Sequence, residues 1–359
     1  MKVKENQTFL KLPIKTEASI TSECWTYYKL SIIETSVDAN KWLASHLELY
    51  YDNNFNAYLG KFNSLFNLDY YSEILEYKEI AIEKIDPELI IEIIINELEQ
   101  GNYIAVYLPH PIQVIHEIVI HGFDKNQKLL FYNGLVQGKF KEIAITFDDF
   151  KSEHDKVYIY LKSHPFSRVV TSWYFFPITR LHLKEYKDDM CLLRAIKKLT
   201  NEYDGKKIKI SNPISDTNEE NTYYTGLGCL IGFEERLTEY VKDQKYIKND
   251  IFFDLSVKLV NTLFKFYEYY KNIYNTMKWI SSELCGDLML INDIVRFEHT
   301  LKDLNISYML AIKYAQTENW STFYNLQKKY NGIYQSFKDS LISFCNKSNA
   351  LLLETKKIR

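Results

Sequence analysis

The chain has 359 residues, enough for two domains or for one domain with a large extension. Lys and Arg number 44 against 47 Asp and Glu, and a net charge of -3 excludes a general electrostatic footprint for nucleic acid. No run of about 18 apolar residues occurs, which excludes a transmembrane helix and leaves no membrane partner to expect. The five cysteines are scattered without a C-x-x-C, so neither a zinc ribbon nor a disulfide framework is expected.

The opening M-K-V-K-E-N-Q is polar, so no secretory leader is expected, and the cysteine usage points to a reduced, cytoplasmic protein. With 46% hydrophobic residues the chain can bury a core, and only 11 Gly and 7 Pro leave room for long helices. Residues 1–21 read as an extended lead-in. Residues 24–50 read as one or two helices, the second carrying Trp42, Leu43, Leu47 and Tyr50 at helical spacing. Asp52-Asn53-Asn54 breaks that pattern, and residues 55–75 are aromatic and mixed. Asp86-Pro87 starts a helix with Leu89, Ile90, Ile93, Ile94 and Leu98 on one face, and Gly101 ends it.

Strands are predicted at 103–108, 114–121, 128–133, 140–146, 156–162 and 168–176. A further helix spans Lys184–Asn201, with Met190, Leu193, Ile196 and Leu199 inward. Residues 202–222 are polar and read as a linker. Three long stripes follow: Phe252 to Met277, Leu301 to Ala315, and Trp320 to Phe344. The expected class is therefore α+β, an N-terminal domain over 1–183 followed by an all-α helical bundle over 184–359.

Three side chains of the first domain carry the chemistry. Cys24 follows Thr21 and Ser22, either of which can cap a helix starting near the cysteine. The positive end of a helix dipole stabilises a thiolate. His116 opens the second strand and Asn133 closes the third, so a hairpin turning near 124–127 is expected to make them neighbours. A histidine oriented by an amide, beside a thiol, is a nucleophilic triad. His110 and His121 are rival bases, but His110 stands between prolines and alternation puts His121 on the opposite strand face. Each residue also has a structural reading: Cys24 and His116 as core residues, Asn133 as half of an Asn-Gly turn. Glu23 counts against Cys24, because a carboxylate near a thiolate raises the thiol pKa.

The motifs S-E-C-W at Ser22–Trp25, Y-L-G at Tyr58–Gly60 and E-Q-G-N-Y-I-A-V-Y at Glu99–Tyr107 come in that order. H-E-I-V-I-H-G-F-D at His116–Asp124, F-Y-N at Phe131–Asn133 and I-T-F-D-D-F at Ile145–Phe150 follow. With this series the first half of the chain resembles the butirosin-biosynthesis-H N-terminal family, within the papain-like group that includes C39-type peptidases. The resemblance implies a papain-like fold, a helix carrying Cys24 and an antiparallel sheet carrying His116 and Asn133. It implies a cysteine-dependent acyltransferase of natural-product biosynthesis. The acyl group would pass from the phosphopantetheine thioester of an acyl or peptidyl carrier protein to Cys24, and then to an amine acceptor as an amide. No metal or organic cofactor is implied. Family members often carry Asp where Asn133 stands.

Papain-like enzymes commonly place a Gln before the cysteine, and Lys15–Thr21 has none. The backbone N–H of Cys24 and a hydroxyl from Ser19, Thr21 or Ser22 remain as oxyanion donors. One lost donor costs about 3–4 kcal/mol of transition-state stabilisation, which favours an activated thioester over a peptide. A papain-like peptidase or amidase, and an inert partner-binding scaffold, are the alternatives. G-L-G-C-L-I-G at 226–232 lacks the spacing of a phosphate loop and reads as close helix packing. The basic residues Lys184, Lys187, Arg194, Lys197, Lys198, Lys206, Lys207 and Lys209 read as surface, or as a dock for an acidic carrier.

Overall fold

The chain passes three times between two units. The first comprises Met1–Ala39 and Ser64–Tyr186, the second Asn40–Asn63 and Lys187–Arg359. The computed structural model describes residues 7–52, 55–59, 68–80, 89–109, 115–136, 138–163, 178–211, 220–243, 249–284 and 288–358. In chain order the elements are β1 (Phe9–Lys11), α1 (Cys24–Ile33), α2 (Ala39–His46), β2 (Leu49–Tyr51), β3 (Ala57–Leu59), β4 (Leu75–Ile80) and α3 (Ile90–Glu99). Next come β5 (Tyr103–Pro109), β6 (Ile115–Asp124), β7 (Leu129–Val136), β8 (Lys139–Thr146), α4 (Phe147–Ser163) and β9 (Ile178–Leu183). The rest are α5 (Cys191–Asp204), β10 (Lys207–Ser211), β11 (Glu220–Thr225), α6 (Gly228–Asp243), α7 (Asn249–Glu283), α8 (Leu288–Thr317), α9 (Trp320–Tyr330) and α10 (Ile333–Ile358).

In the first unit the sheet order is β4-β9-β5-β6-β7-β8, with β1 added beside β6. Every pairing is antiparallel. Ile104, Val106, Ile118 and Ile120 of the central strands form one core with Ile90, Ile94 and Leu98 of α3 and Phe150 of α4. Helix α3 stops because Gly101 adopts φ 85°. Its N–H then reaches Leu98 O at 2.9 Å and that of Asn102 reaches Glu97 O at 3.0 Å, which satisfies carbonyls a helix end leaves open. The residues expected to start this helix, Asp86 and Pro87, lie outside the described residues.

Four of the expected strands are present. The fifth, 156–162, is the second half of α4. Its V-Y-I-Y-L run has strand propensity, but Phe150, His154 and Val157 are buried at helical spacing. Thr146 caps the helix: its Oγ1 accepts from the Asp149 N–H at 3.1 Å and donates to Asp149 Oδ2 at 2.6 Å. The sixth expected strand, 168–176, lies outside the described residues.

The second unit is helical but not all-α. It holds a four-stranded antiparallel sheet in the order β10-β11-β2-β3. The stretch 202–222, expected as a linker, supplies the end of α5, all of β10 and the start of β11. K-I-K-I-S has the alternation of a half-exposed strand. The hairpin β2–β3 comes from the segment Asn40–Asn63, so Tyr50 lies on a strand and not on the helix predicted for it. Thr262 Oγ1 and Lys265 Nζ of α7 donate to Phe55 O and Ala57 O at 2.6 and 2.7 Å, tying this hairpin to the long helix. Helix α5 begins at Cys191, later than predicted, and leaves Met190 and Leu193 exposed, with Ala195, Ile196, Leu199 and Glu202 buried.

Every described member of the first predicted stripe is buried: Leu255, Leu259, Leu263, Phe266, Tyr270, Ile273 and Met277 of α7. The third stripe is two helices, α9 and α10, broken where Gly332 takes φ 83°. The glycines at 226, 228 and 232 are close contacts, as read from the sequence. A Cβ at Gly226 would meet Glu202 O at 2.6 Å, and one at Gly232 would meet the Tyr224 ring at 2.7 Å. Among the described residues, no helix is long and apolar enough to cross a membrane, and Cys191, Cys229 and Cys345 are free thiols.

Candidate functional site

Helix α1 is buried at every position from Thr26 to Ile33. Its N-cap is Glu23, extended at φ -134° and ψ 112°, with no side-chain cap bond. This corrects the expected capping by Thr21 or Ser22. Cys24 takes the first helical position, where the backbone dipole is positive; its side chain lies outside the described residues. The lead-in runs back along the helix. Lys15 N–H donates to Ser31 O at 2.9 Å, and the Ser19 N–H and hydroxyl both donate to Glu34 Oε1 at 2.7 and 2.5 Å. The Ser19 hydroxyl is thereby committed to Glu34 and not to an oxyanion.

Consecutive residues of α1 meet the sheet through polar groups. Tyr27 Oη accepts from Asn133 Nδ2 at 2.7 Å and donates to Thr16 O at 3.1 Å. Burial holds the Tyr27 phenol well above its ordinary pKa, so it stays neutral in this relay. Tyr28 Oη lies 3.2 Å from His116 Nδ1. Lys29 Nζ donates to both Glu117 oxygens at 2.8 Å, an ion pair only 8% and 10% exposed.

His116 Nδ1 is also 2.8 Å from Glu117 O. A carbonyl only accepts, so Nδ1 carries the proton at that contact, and in the neutral ring Nε2 carries the lone pair. The ring is thus oriented by a backbone carbonyl and a phenol, not by Asn133. In the sheet Asn133 pairs with Val119, three residues beyond His116 on β6, about 10 Å along a strand. The predicted His116–Asn133 contact is therefore not formed. The hairpin itself is as expected, but β6 and β7 are longer than predicted, which displaces the register. Asn133 is fully buried, and its Oδ1 has no hydrogen-bond partner among the described residues.

The rival histidines differ. His121 is buried beside the bulge between Ile120 and Gly122, where its carbonyl accepts from the Leu12 N–H of the lead-in at 2.7 Å. Its Nε2 is 3.5 Å from Glu142 Oε2. Burial lowers its pKa, with Glu142 opposing. His110 lies outside the described residues.

A groove of about 470 Å³ opens beside this cluster, lined by Thr16, Glu17 and Thr21 of the lead-in and by Gly138–Glu142 of the β7–β8 turn and β8. Its Phe140 stacks on Tyr27 with centroids 3.4 Å apart and meets Tyr28 edge-on at 5.5 Å. Surface and His116 are thereby linked through two aromatic contacts. Sequence reasoning did not single out Tyr27, Tyr28, Lys29, Glu117 or Phe140. The available hint was a run of polar and aromatic residues following a helix-initial cysteine. Among the described residues, no group of three or more His, Cys, Asp or Glu side chains is arranged to hold a metal.

No family model matches the chain, and no curated protein matches it.

Proposed function

We propose that the first unit performs cysteine-dependent acyl transfer in natural-product biosynthesis, with Cys24 as nucleophile and His116 as base. The observation that carries this reading is the docking of α1. Its first residue is Cys24, and one turn later Tyr28 meets the imidazole of His116. Positions 24 and 28 share a helix face. In a thiolate, the sulfur would attack the carbonyl carbon of a carrier-bound phosphopantetheine thioester. A C–S bond to Cys24 forms, the C–S bond to the carrier breaks, and the carrier thiol leaves with the proton that His116 Nε2 had taken from Cys24. An amine then attacks acyl-Cys24, His116 accepts its proton and returns it to the departing Cys24 sulfur, and an amide is released. Asn133 has a positioning part: through Tyr27 it fixes α1, not the imidazole.

The test uses a carrier protein charged with a benzoyl or octanoyl thioester. The intact protein gains the acyl mass, digestion places it on Cys24, and a small primary amine discharges it as the amide. Cleavage of peptides with no gain from the thioester identifies a peptidase or amidase instead. Neither reaction, with Cys24→Ala retaining the cellular role, identifies a scaffold.

A further inference from the structure

The second unit has a cleft of about 440 Å³ between α5, the strand β2 and the turn after β11. Helix α5 lines it with Arg194, Lys197, Lys198 and Glu202, and Glu48 stands on the facing wall. These α5 positions recur at three and four residues, so they occupy one helix face. That face is charged where a packing face would be apolar.

Glu202 is the anomaly. It is 7% exposed. Tyr269 of α7 donates to its Oε1, but Oε2 has no hydrogen-bond partner among the described residues. A buried carboxylate oxygen calls for a donor. Lys198, one turn earlier, does not supply it: its Nζ sits 5.8 Å from the Tyr269 ring centroid, and no Lys198–Glu202 ion pair forms among the described residues. Burial pushes the Glu202 carboxyl up to about 7 and the Lys198 ammonium down. Arg194 is committed to Asp188, with Nε 2.8 Å from Oδ2.

We propose that this cleft binds a small zwitterion of the α-amino-acid class, its ammonium on Glu202 Oε2 and Glu48, its carboxylate on Lys197 and Lys198. Lys198 and Glu202 are separated along α5 by one helical turn, about 5.4 Å, a span the two charged ends of an α-amino acid can bridge. A phosphate would meet the two lysines but would face two carboxylates. A simple amine would satisfy Glu202 and face the lysines. A zwitterion answers both signs of charge, and the volume leaves space for its side chain beside Leu49 and Tyr50. The site does not depend on the chemistry proposed for Cys24.

Calorimetric titration of the full chain tests this, with alanine, leucine, phenylalanine, glutamate and lysine at millimolar concentration as probes. Their N-acetyl and amide derivatives and inorganic phosphate serve as controls. At least one free amino acid is expected to bind, with each derivative that lacks one charge weaker by about tenfold or more. Lys197→Met, at an exposed position, and Glu202→Gln, which retains the acceptor for Tyr269, are each expected to weaken binding by about tenfold. Lys197→Met keeps its thermal melting curve, so the test survives if Glu202→Gln fails to fold. Absence of binding by all five amino acids, equal binding of the derivatives, preference for phosphate, or native affinity in Lys197→Met overturns the assignment.

Discussion

Helices α1 and α7 are both buried, by opposite means. The 35-residue α7 hides an aromatic and aliphatic stripe and leaves its other face to solvent. The 10-residue α1 is buried at every position from Thr26 to Ile33, with Thr26, Lys29 and Ser31 among its apolar residues. The α7 stripe packs by apolar contact, to which Thr262 and Lys265 add bonds to the β2–β3 hairpin. A lysine bonded bidentately to Glu117, and two phenols bonded to Asn133 and His116, give a fixed register between helix and strand. Polar burial costs desolvation, and here it holds the residue at the start of the helix in one place.

Six substitutions and one pH series sharpen that contrast. The largest effect is expected for the proposed chemistry: Cys24→Ala should abolish thioester-dependent acylation, and His116→Ala should slow it by about 10²–10⁴-fold, read as mass gain against time. Next, Lys29→Met leaves Glu117 buried and unpaired and lowers unfolding free energy in urea by about 3–5 kcal/mol. Adding Glu117→Leu recovers most of that stability. Leu263→Ala in α7 costs about 2–5 kcal/mol through the cavity it opens, by the same measurement, and no second substitution of charge repairs it.

The pH series concerns Glu202, whose carboxyl is raised from 4.5 to about 7 by burial. Between those values the folded protein keeps a proton that the unfolded chain has released. Its contribution to stability is therefore complete below about 4.5 and declines as pH rises towards about 7. Denaturation of Glu202→Gln across this range lacks that decline. Smallest is Tyr27→Phe, which removes the hydroxyl between Asn133 and Thr16 and costs about 1–2 kcal/mol. Acylation stays within a few-fold of native if Asn133 serves the helix and not the imidazole.

The same contrast explains what could be read in advance. The period of the α7 stripe survives in a single sequence because one face must be apolar, so seven of its buried positions were nameable. The Schellman turn at Gly101 carries local chemistry and is equally legible, whereas the Thr146–Asp149 pair that starts α4 went unread because the V-Y-I-Y-L run beyond it points to a strand. Helix α1 has no period to read because no face is exposed, and its partners come from strands about a hundred residues on. The strands β2 and β3 are three residues each, and β2 pairs with Tyr224 and Thr225 of β11, so Leu49 and Tyr50 read as helix continuation. In α4 the run V-Y-I-Y-L has strand propensity that tertiary packing overrides. Cys24, His116 and Asn133 were picked out by residue type and order. Register, which depends on strand length and a bulge, separated the last two.

The pairing of Tyr50 and Tyr51 with Thr225 and Tyr224 has a consequence for biosynthesis. On the ribosome, the β2–β3 hairpin emerges long before the strand that completes its sheet. The first unit can close around α1 while Asn40–Asn63 waits as an open-edged loop, a template for wrong pairing until translation reaches β11. A fragment ending after β9 would keep that edge permanently bare, so the first unit is expected to aggregate when expressed alone unless the hairpin is excised or supplied with its partner strand in trans.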